Sequence, residues 1–150
     1  MATISRARPG QYREIAVLFD LYRQFYEQDP DAAGCEAYIR DRLIKEQSVI
    51  FTAFDDESGS LIGFTQLYIS WCSVAMNRLV HLYDLYVTEQ ARQRGVGRQL
   101  MEAAREYATE LGADRICLET AVDNLSAQSL YESLGYIRDA DFYTYNLPTT

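Results

Sequence analysis

A chain of 150 residues has room for one domain that buries about 70% of the surface its unfolded form exposes. Its net charge of −8 argues against nucleic acid as the main partner, because phosphate contacts need a basic surface, and favours a cationic substrate. No stretch approaches the ~18 apolar residues of a membrane span, and the opening MATISRARPGQY has no apolar run behind its basic residues, so the expectation is a soluble, cytoplasmic protein that does not engage membranes.

Residues Thr3 to Arg6 read as a first strand, and Pro9 suits a helix start. Ile15, Leu18, Tyr22 and Phe25 then recur at helical spacing as far as Glu27, where Asp29-Pro30-Asp31 stops the run. A second helix is expected over Cys35 to Lys45, with Tyr38, Ile39 and Leu43 on its apolar side. Val49 to Phe54 and Leu61 to Ile69 read as an antiparallel hairpin about the turn Asp55-Asp56-Glu57-Ser58-Gly59. Residues 72 to 78 read as a loop before a long strand from Leu79 to Val87.

Val96, Leu100, Ala104, Tyr107 and Leu111 line the next helix until Gly112. Ile116 to Thr120 is expected as a strand, Ser126 to Leu134 as a helix closed by Gly135, and Phe142 to Leu147 as a last strand. Neither repeats, linkers nor a break in charge marks a boundary, so residues 1–150 are expected to form one mixed α/β domain with helices against a central sheet. Cys35, Cys72 and Cys117 are odd in number and widely spaced, without a CxxC or Cys/His pattern. They read as free buried thiols rather than as a disulfide framework or a metal site.

The most informative stretch is DLYVTEQARQRGVGRQLMEAA, residues 84 to 104, where a strand runs into two glycines one residue apart and then into a helix. Such a turn presents free backbone N–H groups and the positive end of the helix dipole, a combination that binds phosphate. The dinucleotide fingerprint GxGxxG fails here, because Leu100 stands where its third glycine belongs, and no Walker sequence GxxxxGK[ST] occurs.

What the stretch does contain, Arg92-x-x-Gly95-x-Gly97, resembles the pyrophosphate turn [QR]-x-x-G-x-[GA] of the GNAT superfamily of acyl-CoA-dependent N-acetyltransferases. DNLSAQSLYESLGY, residues 123 to 136, is similar to that family's N-x-x-[AS]-x-x-[LF]-Y-x-x-x-G-[FY] segment through Asn124, Ala127, Tyr131, Gly135 and Tyr136. YDLYV, residues 83 to 87, resembles the strand whose backbone pairs with the pantetheine arm. The three segments stand in the family's order over Leu79 to Tyr136, and the general likeness is to its small-amine, polyamine and histone-type members.

The resemblance implies a fold and a coenzyme site. The fold would be a mostly antiparallel central sheet of six to seven strands, flanked by four helices, with its central strands splayed apart. Acetyl-CoA would lie along Leu85, Tyr86 and Val87. Its pyrophosphate would rest on the amides of Arg94, Gly95, Val96, Gly97 and Arg98, with charge added by Arg92, Arg94 and Arg98. Asn124, Ala127 and Tyr131 would complete the site, and no metal is implied.

The chemistry needs a base. A lysine-like amine with a pKa of ~10.4 is free in only about one molecule in a thousand near neutrality, a handicap of ~4 to 5 kcal/mol. A backbone N–H of Leu85 or Val87 could hold the developing oxyanion. The family's role for the tyrosine of its second motif implies that Tyr131 protonates the departing thiolate.

Three residues compete as base. His81 falls where histone-acetylating relatives carry a catalytic glutamate and titrates near neutrality. Asp84, beside Tyr83, falls where polyamine-acetylating relatives carry adjacent acids, and Glu119 lies on the following strand; a shared water is a further route.

The acceptor expected is a small amine, polyamine or amino acid, with a basic peptide or antibiotic-like amine as alternatives. It would be bound by residues 68–78 and by Tyr22, Phe25, Tyr26 and Tyr38. A non-catalytic acyl-CoA sensor on the same fold is the alternative of a different class. The apolar final strand FYTYNL points to pairing with a second copy in a homodimer.

Overall fold

The computed structural model describes all 150 residues. Met1–Leu118 forms one compact unit and Glu119–Thr150 another. In the first, period-two alternation places strands β1 (Ala2–Arg6), β2 (Val49–Asp55), β3 (Leu61–Cys72), β4 (Asn77–Val87) and β5 (Arg115–Cys117) in one sheet of that order. β1 through β4 pair antiparallel, and β4 with β5 parallel. Helices α1 (Tyr12–Phe25) and α2 (Ala32–Ile44) bury Ile15, Leu18, Phe19, Ile39 and Leu43 with Ile50 and Phe64 of the sheet. Helix α3 (Val96–Leu111) buries Val96 and Leu100 with Ala53 and Ile62, in a second cluster.

The hairpin of β3 and β4 is longer than its sequence suggests. Trp71 pairs with Arg78 and Cys72 with Asn77, so only residues 73–76 remain as the turn, with Met76 at φ +51°. Polar Ser70, Asn77 and Arg78 hid the strand ends, while Arg78 stacking 5.9 Å over the Trp71 ring favours pairing. α2 begins earlier than expected because Asp31, which reads in the sequence as a helix stop, is its N-cap. Its carboxylate accepts from the Gly34 N–H at 2.9 Å.

Gly63 sits where α3 presses on the sheet. A Cβ at this position would lie 3.0 Å from the Tyr86 carbonyl oxygen and 3.3 Å from Leu100 Cδ1. Gly63→Ala is therefore expected to lower stability by about 1 to 3 kcal/mol, read from denaturant midpoints, since backbone on one side leaves little room to relax.

In the second unit, α4 (Leu125–Ser133) is capped by Asn124, whose Oδ1 accepts from the Ala127 N–H at 3.2 Å. The chain leaves it through Gly135 at φ +92°, a left-handed conformation that glycine adopts without strain. Three expectations need correction. The sheet has five strands, not six to seven; β5 ends at Cys117 rather than Thr120; and Phe142 to Leu147 forms no strand. Alternating apolar residues supply strand propensity, but a strand exists only through a ladder partner, and this segment is not a member of the sheet β1–β5. Of the three cysteines Cys35 is buried, whereas Cys72 and Cys117 are only half-buried, and none is in a disulfide.

Candidate active site

β4 is a strand with one flank open. Its parallel pairing with β5 covers only Leu79, Val80 and His81. On the other flank the register jumps, with Gln66 opposite Asp84 and Leu67 opposite Leu82, so Tyr83 is the extra residue of a β-bulge. Beyond the bulge, residues 84–87 keep β3 on one side and have no strand on the other. Thr88 N–H donates to the Ile62 carbonyl at 2.9 Å, and the alternation of an antiparallel ladder then turns the backbone groups of Leu85 and Val87 toward the open flank. The splayed strands expected from the sequence thus arise in this unit from a bulge and a three-residue β5.

The open flank leads into the glycine turn. Gln93 and Gly95 both take positive φ, +63° and +79°, and Gly95 is the N-cap of α3 with no side-chain hydrogen bond closing it. The amides of Val96, Gly97 and Arg98, in the first turn, lack intrahelical carbonyl partners and sit at the positive end of the dipole. Buried Val96, packed with Ala91, Leu100 and Ile62, anchors this end of α3 to the sheet.

The arginines divide their work. Arg92 donates through Nε to the Val87 carbonyl at 3.0 Å and lies over the rings of Tyr86 and Phe25 at 5.6 and 6.0 Å. It ties the turn to the end of β4. Arg94, whose charge is expected to serve the phosphates, pairs with Asp55 at 3.2 Å beside a cleft of about 340 Å³ lined by Ser58, Thr88 and Gln90. Hydrogen bonds from Ser58, with a smaller contribution from Arg94, hold the Asp55 carboxyl below its ordinary range. Arg98 is exposed on the first turn of α3 and lines a second cavity of about 610 Å³ beside Phe51 and Glu102.

Asp84 is 3% exposed, which is rare for a carboxylate. Gln66 Nε2 donates to its Oδ2 at 2.6 Å, and Ser48 Oγ donates to Gln66 Oε1 at 2.8 Å, so a buried polar chain orients it. Burial raises its pKa, opposed by hydrogen bonds from Gln66 and Tyr22 and by the charge of His81. The raised pKa disfavours the ionised carboxylate relative to a free carboxyl, the direction in which a general base is tuned toward neutrality.

An array of rings surrounds it. Tyr22 bonds the Tyr83 carbonyl at 3.3 Å, Tyr38 and Tyr68 share a 2.6 Å hydroxyl contact, and Tyr83 lies 5.7 Å from Tyr68 and 5.2 Å from His81. Burial, with Asp84 nearby, pushes the phenols of Tyr22, Tyr26 and Tyr68 up, so they stay neutral.

The structure therefore brings together Asp84, His81, Leu85, Tyr86, Val87 and the glycine turn in one unit. Ala127 and half-buried Tyr131, whose ring is 6.1 Å from that of Tyr136, lie on α4 in the other, with Asn124 as its N-cap. Glu119 is exposed and lies two residues beyond β5 rather than on a strand. Gln66 and Ser48 escaped the sequence reading. A glutamine inside the apolar run LIGFTQLYIS was the available signal, because a buried amide needs polar partners.

Comparison with known proteins identifies the family. Residues 15–136 match the model of the acetyltransferase (GNAT) family. The chain is 44% identical over 147 residues to the uncharacterised N-acetyltransferase YhfO of Bacillus subtilis, covering 97% of each. It is 40% identical over 94 residues to the D-amino-acid N-acetyltransferase HPA3 of Saccharomyces cerevisiae, covering 63% of this chain and 58% of that one. The crystal structure of a probable acetyltransferase superposes with a TM-score of 0.93 at 37% identity, over 99% of this chain and 98% of the other. With its open strand, glycine turn and matched length, the chain belongs to the GNAT acetyltransferase family.

Proposed function

We propose that this acetyltransferase moves an acetyl group from acetyl-CoA to a small cationic primary amine, by direct attack while both substrates are bound. The observation that carries the reading is one strand, β4, with a backbone edge open beyond Tyr83, a buried carboxyl at Asp84, and a glycine-opened helix start ahead of it. Acetyl-CoA supplies a thioester whose carbonyl carbon the amine attacks and whose thiolate leaves. A donor made inside cells makes the cytoplasm the place of action.

The chain's own groups divide the work. Amides of the Gly95–Arg98 turn hold pyrophosphate. The Leu85 and Val87 backbone receives the pantetheine amides, and one N–H there stabilises the oxygen of the attacked carbonyl. Arg92, bound to Val87, keeps turn and strand in register. Asn124 and Ala127 form the start of the helix that carries Tyr131.

Asp84 takes the proton of the incoming ammonium, directly or through water, with His81 tuning its charge. Rings of Tyr22, Tyr26, Tyr68 and Tyr83 offer faces to a cation, as does the chain's net charge of −8. Small amines and amino acids fit this reading better than a peptide lysine. At saturating acetyl-CoA, kcat/KM for small amines is expected to exceed that for lysine peptides at least tenfold; the reverse ranking would transfer the assignment to a protein acceptor.

Tyr131, as general acid, would protonate the departing thiolate, which at a pKa of ~8.5 still gains from a donor. Tyr131→Phe is expected to lower kcat about 10- to 100-fold while acetyl-CoA affinity stays within about twofold. Unchanged turnover would remove Tyr131 from the mechanism.

A further inference from the structure

We infer that Arg42 holds a carboxylate of the acceptor, so that the group acetylated is the amine of an amino acid rather than of a polyamine, a role that rests on the small-amine reading above.

Arg13, Arg94 and Arg115 each pair with a carboxylate of the chain. Arg42 stands differently. It lies in the last turn of α2, where Asp41, its neighbour in sequence, binds Lys45 at 3.3 Å. The Arg42 guanidinium carbon sits 4.3 Å from the centre of the Tyr38 ring, one helical turn back, and its Nε is buried with no hydrogen-bond partner. Leaving a buried N–H of a charged group without an acceptor is costly, and an arriving anion removes that cost.

The same guanidinium belongs to the ring array around Asp84. Tyr38 stacks on Phe19 at 5.4 Å, and its hydroxyl meets that of Tyr68 at 2.6 Å. Phe64, Gln66 and Tyr68 alternate along β3 and so share one face, the face on which Phe64 packs against Phe19 and Tyr22 of α1. From that face Gln66 holds Asp84, and Tyr68 leads through Tyr38 to Arg42. Burial first, then the bond to Tyr38 and the charge of Asp84, raises the Tyr68 pKa, while Arg42 lowers it. The Tyr68 hydroxyl therefore lies within the fields of both charges.

A carboxyl and a guanidinium on one face, bridged by phenols, complement the two ends of an amino acid. The ammonium is drawn to Asp84 and to the faces of the rings beside it. The carboxylate is drawn to Arg42, whose planar fork matches two oxygens, with the hydroxyls of Tyr38 and Tyr68 as further donors. A polyamine would instead bring a second ammonium against a fixed charge of its own sign, which discriminates against it. One guanidinium offsets one negative charge, so the site suits a carboxylate better than a dianionic phosphate. The carboxylate takes no part in the transfer; it fixes where the amine stands.

The test measures kcat/KM by thiol release, at saturating acetyl-CoA, for pairs that differ by the carboxylate: alanine with ethylamine, γ-aminobutyrate with propylamine, ornithine with putrescine. Rates are corrected for the fraction of free amine at the assay pH. For the parent we expect the amino acid to be favoured about tenfold or more in at least one pair. Arg42→Gln should raise KM for that amino acid with little change in kcat, and bring the ratio within the pair to about threefold or less. Arg42→Lys, which keeps the charge and loses the fork, should fall between, and it carries the test should Arg42→Gln not fold. A merely structural Arg42 would lower both members of a pair alike and leave their ratio standing, which would overturn the inference. A parent that ignores the carboxylate in every pair would overturn it too, with the transferase reading intact. No thiol release with any amine would overturn that reading itself, and the role of Arg42 with it.

Discussion

Replacing Asp84 with Asn is expected to lower kcat about a hundredfold while leaving acetyl-CoA affinity unchanged. Asn keeps the shape of the side chain and can still accept from Gln66 Nε2, so the buried chain from Ser48 to Gln66 survives. Only proton acceptance is lost, and general bases typically contribute 10²- to 10⁴-fold. The pH profile separates this from misfolding. Because burial raises the Asp84 pKa, the parent's kcat should climb with pH as that carboxyl ionises. In the variant this limb should vanish, leaving only the ionisation of the acceptor amine. If Asp84→Asn keeps its turnover and its limb while His81→Ala loses both, the base is His81.

The same substitution has a stability signature of predictable sign. A carboxyl whose folded pKa exceeds its unfolded value of 3.8 binds more protons in the folded state. Its stabilising contribution is complete below that value and is lost as pH rises through the folded pKa. Asp84→Asn should therefore raise Tm relative to the parent more at pH 8 than at pH 4. A gain independent of pH would show that the carboxyl does not titrate within that interval.

The second large effect is expected at Gly95. A branched residue at φ +79° is strained whatever the space around it, and no heavy atom lies within 4 Å of a Cβ placed there. The cost is conformational rather than steric, about 1 to 2 kcal/mol if the turn holds its shape. The turn can also relax, and then the amides of Val96, Gly97 and Arg98 no longer converge. Gly95→Val should weaken acetyl-CoA binding at least tenfold in a calorimetric titration, with a smaller change in affinity for the amine. Arg94→Ala should act weakly by comparison, because Asp55 already occupies that guanidinium.

The glycine turn was legible because its information is local. Gly95 must adopt positive φ, and Val96 and Leu100 at helical spacing declare which way α3 faces. α1 and the β2–β3 hairpin were equally plain from their apolar periods. The bulge at Tyr83 was not, since a register shift is a property of two strands together, and YDLYV alternates in sequence as an unbroken strand would. For the same reason the partners of Asp84 lay hidden. Ser48, Gln66 and Tyr22 come from the approach to β2, from β3 and from α1, and only the folded chain joins them.

Arg94 shows a partner that the turn alone does not reveal. Its position in a phosphate-like turn suggested a ligand contact, but the turn between β2 and β3 supplies a carboxylate first. FYTYNL shows the limit of pattern. Alternation identified a segment able to pair, but propensity alone does not make a strand, and the sheet of β1–β5 does not include it.

The central claim, that β4 and the glycine turn hold acetyl-CoA for transfer to an amine, is tested most directly by calorimetric titration of acetyl-CoA, followed by addition of polyamines, amino acids, aminoglycosides and lysine peptides with detection of free thiol. A single binding site is expected, with thiol release that depends on the presence of a small amine and falls in Asp84→Asn. Absence of acetyl-CoA binding, or binding with no amine-dependent release from any acceptor, would contradict it.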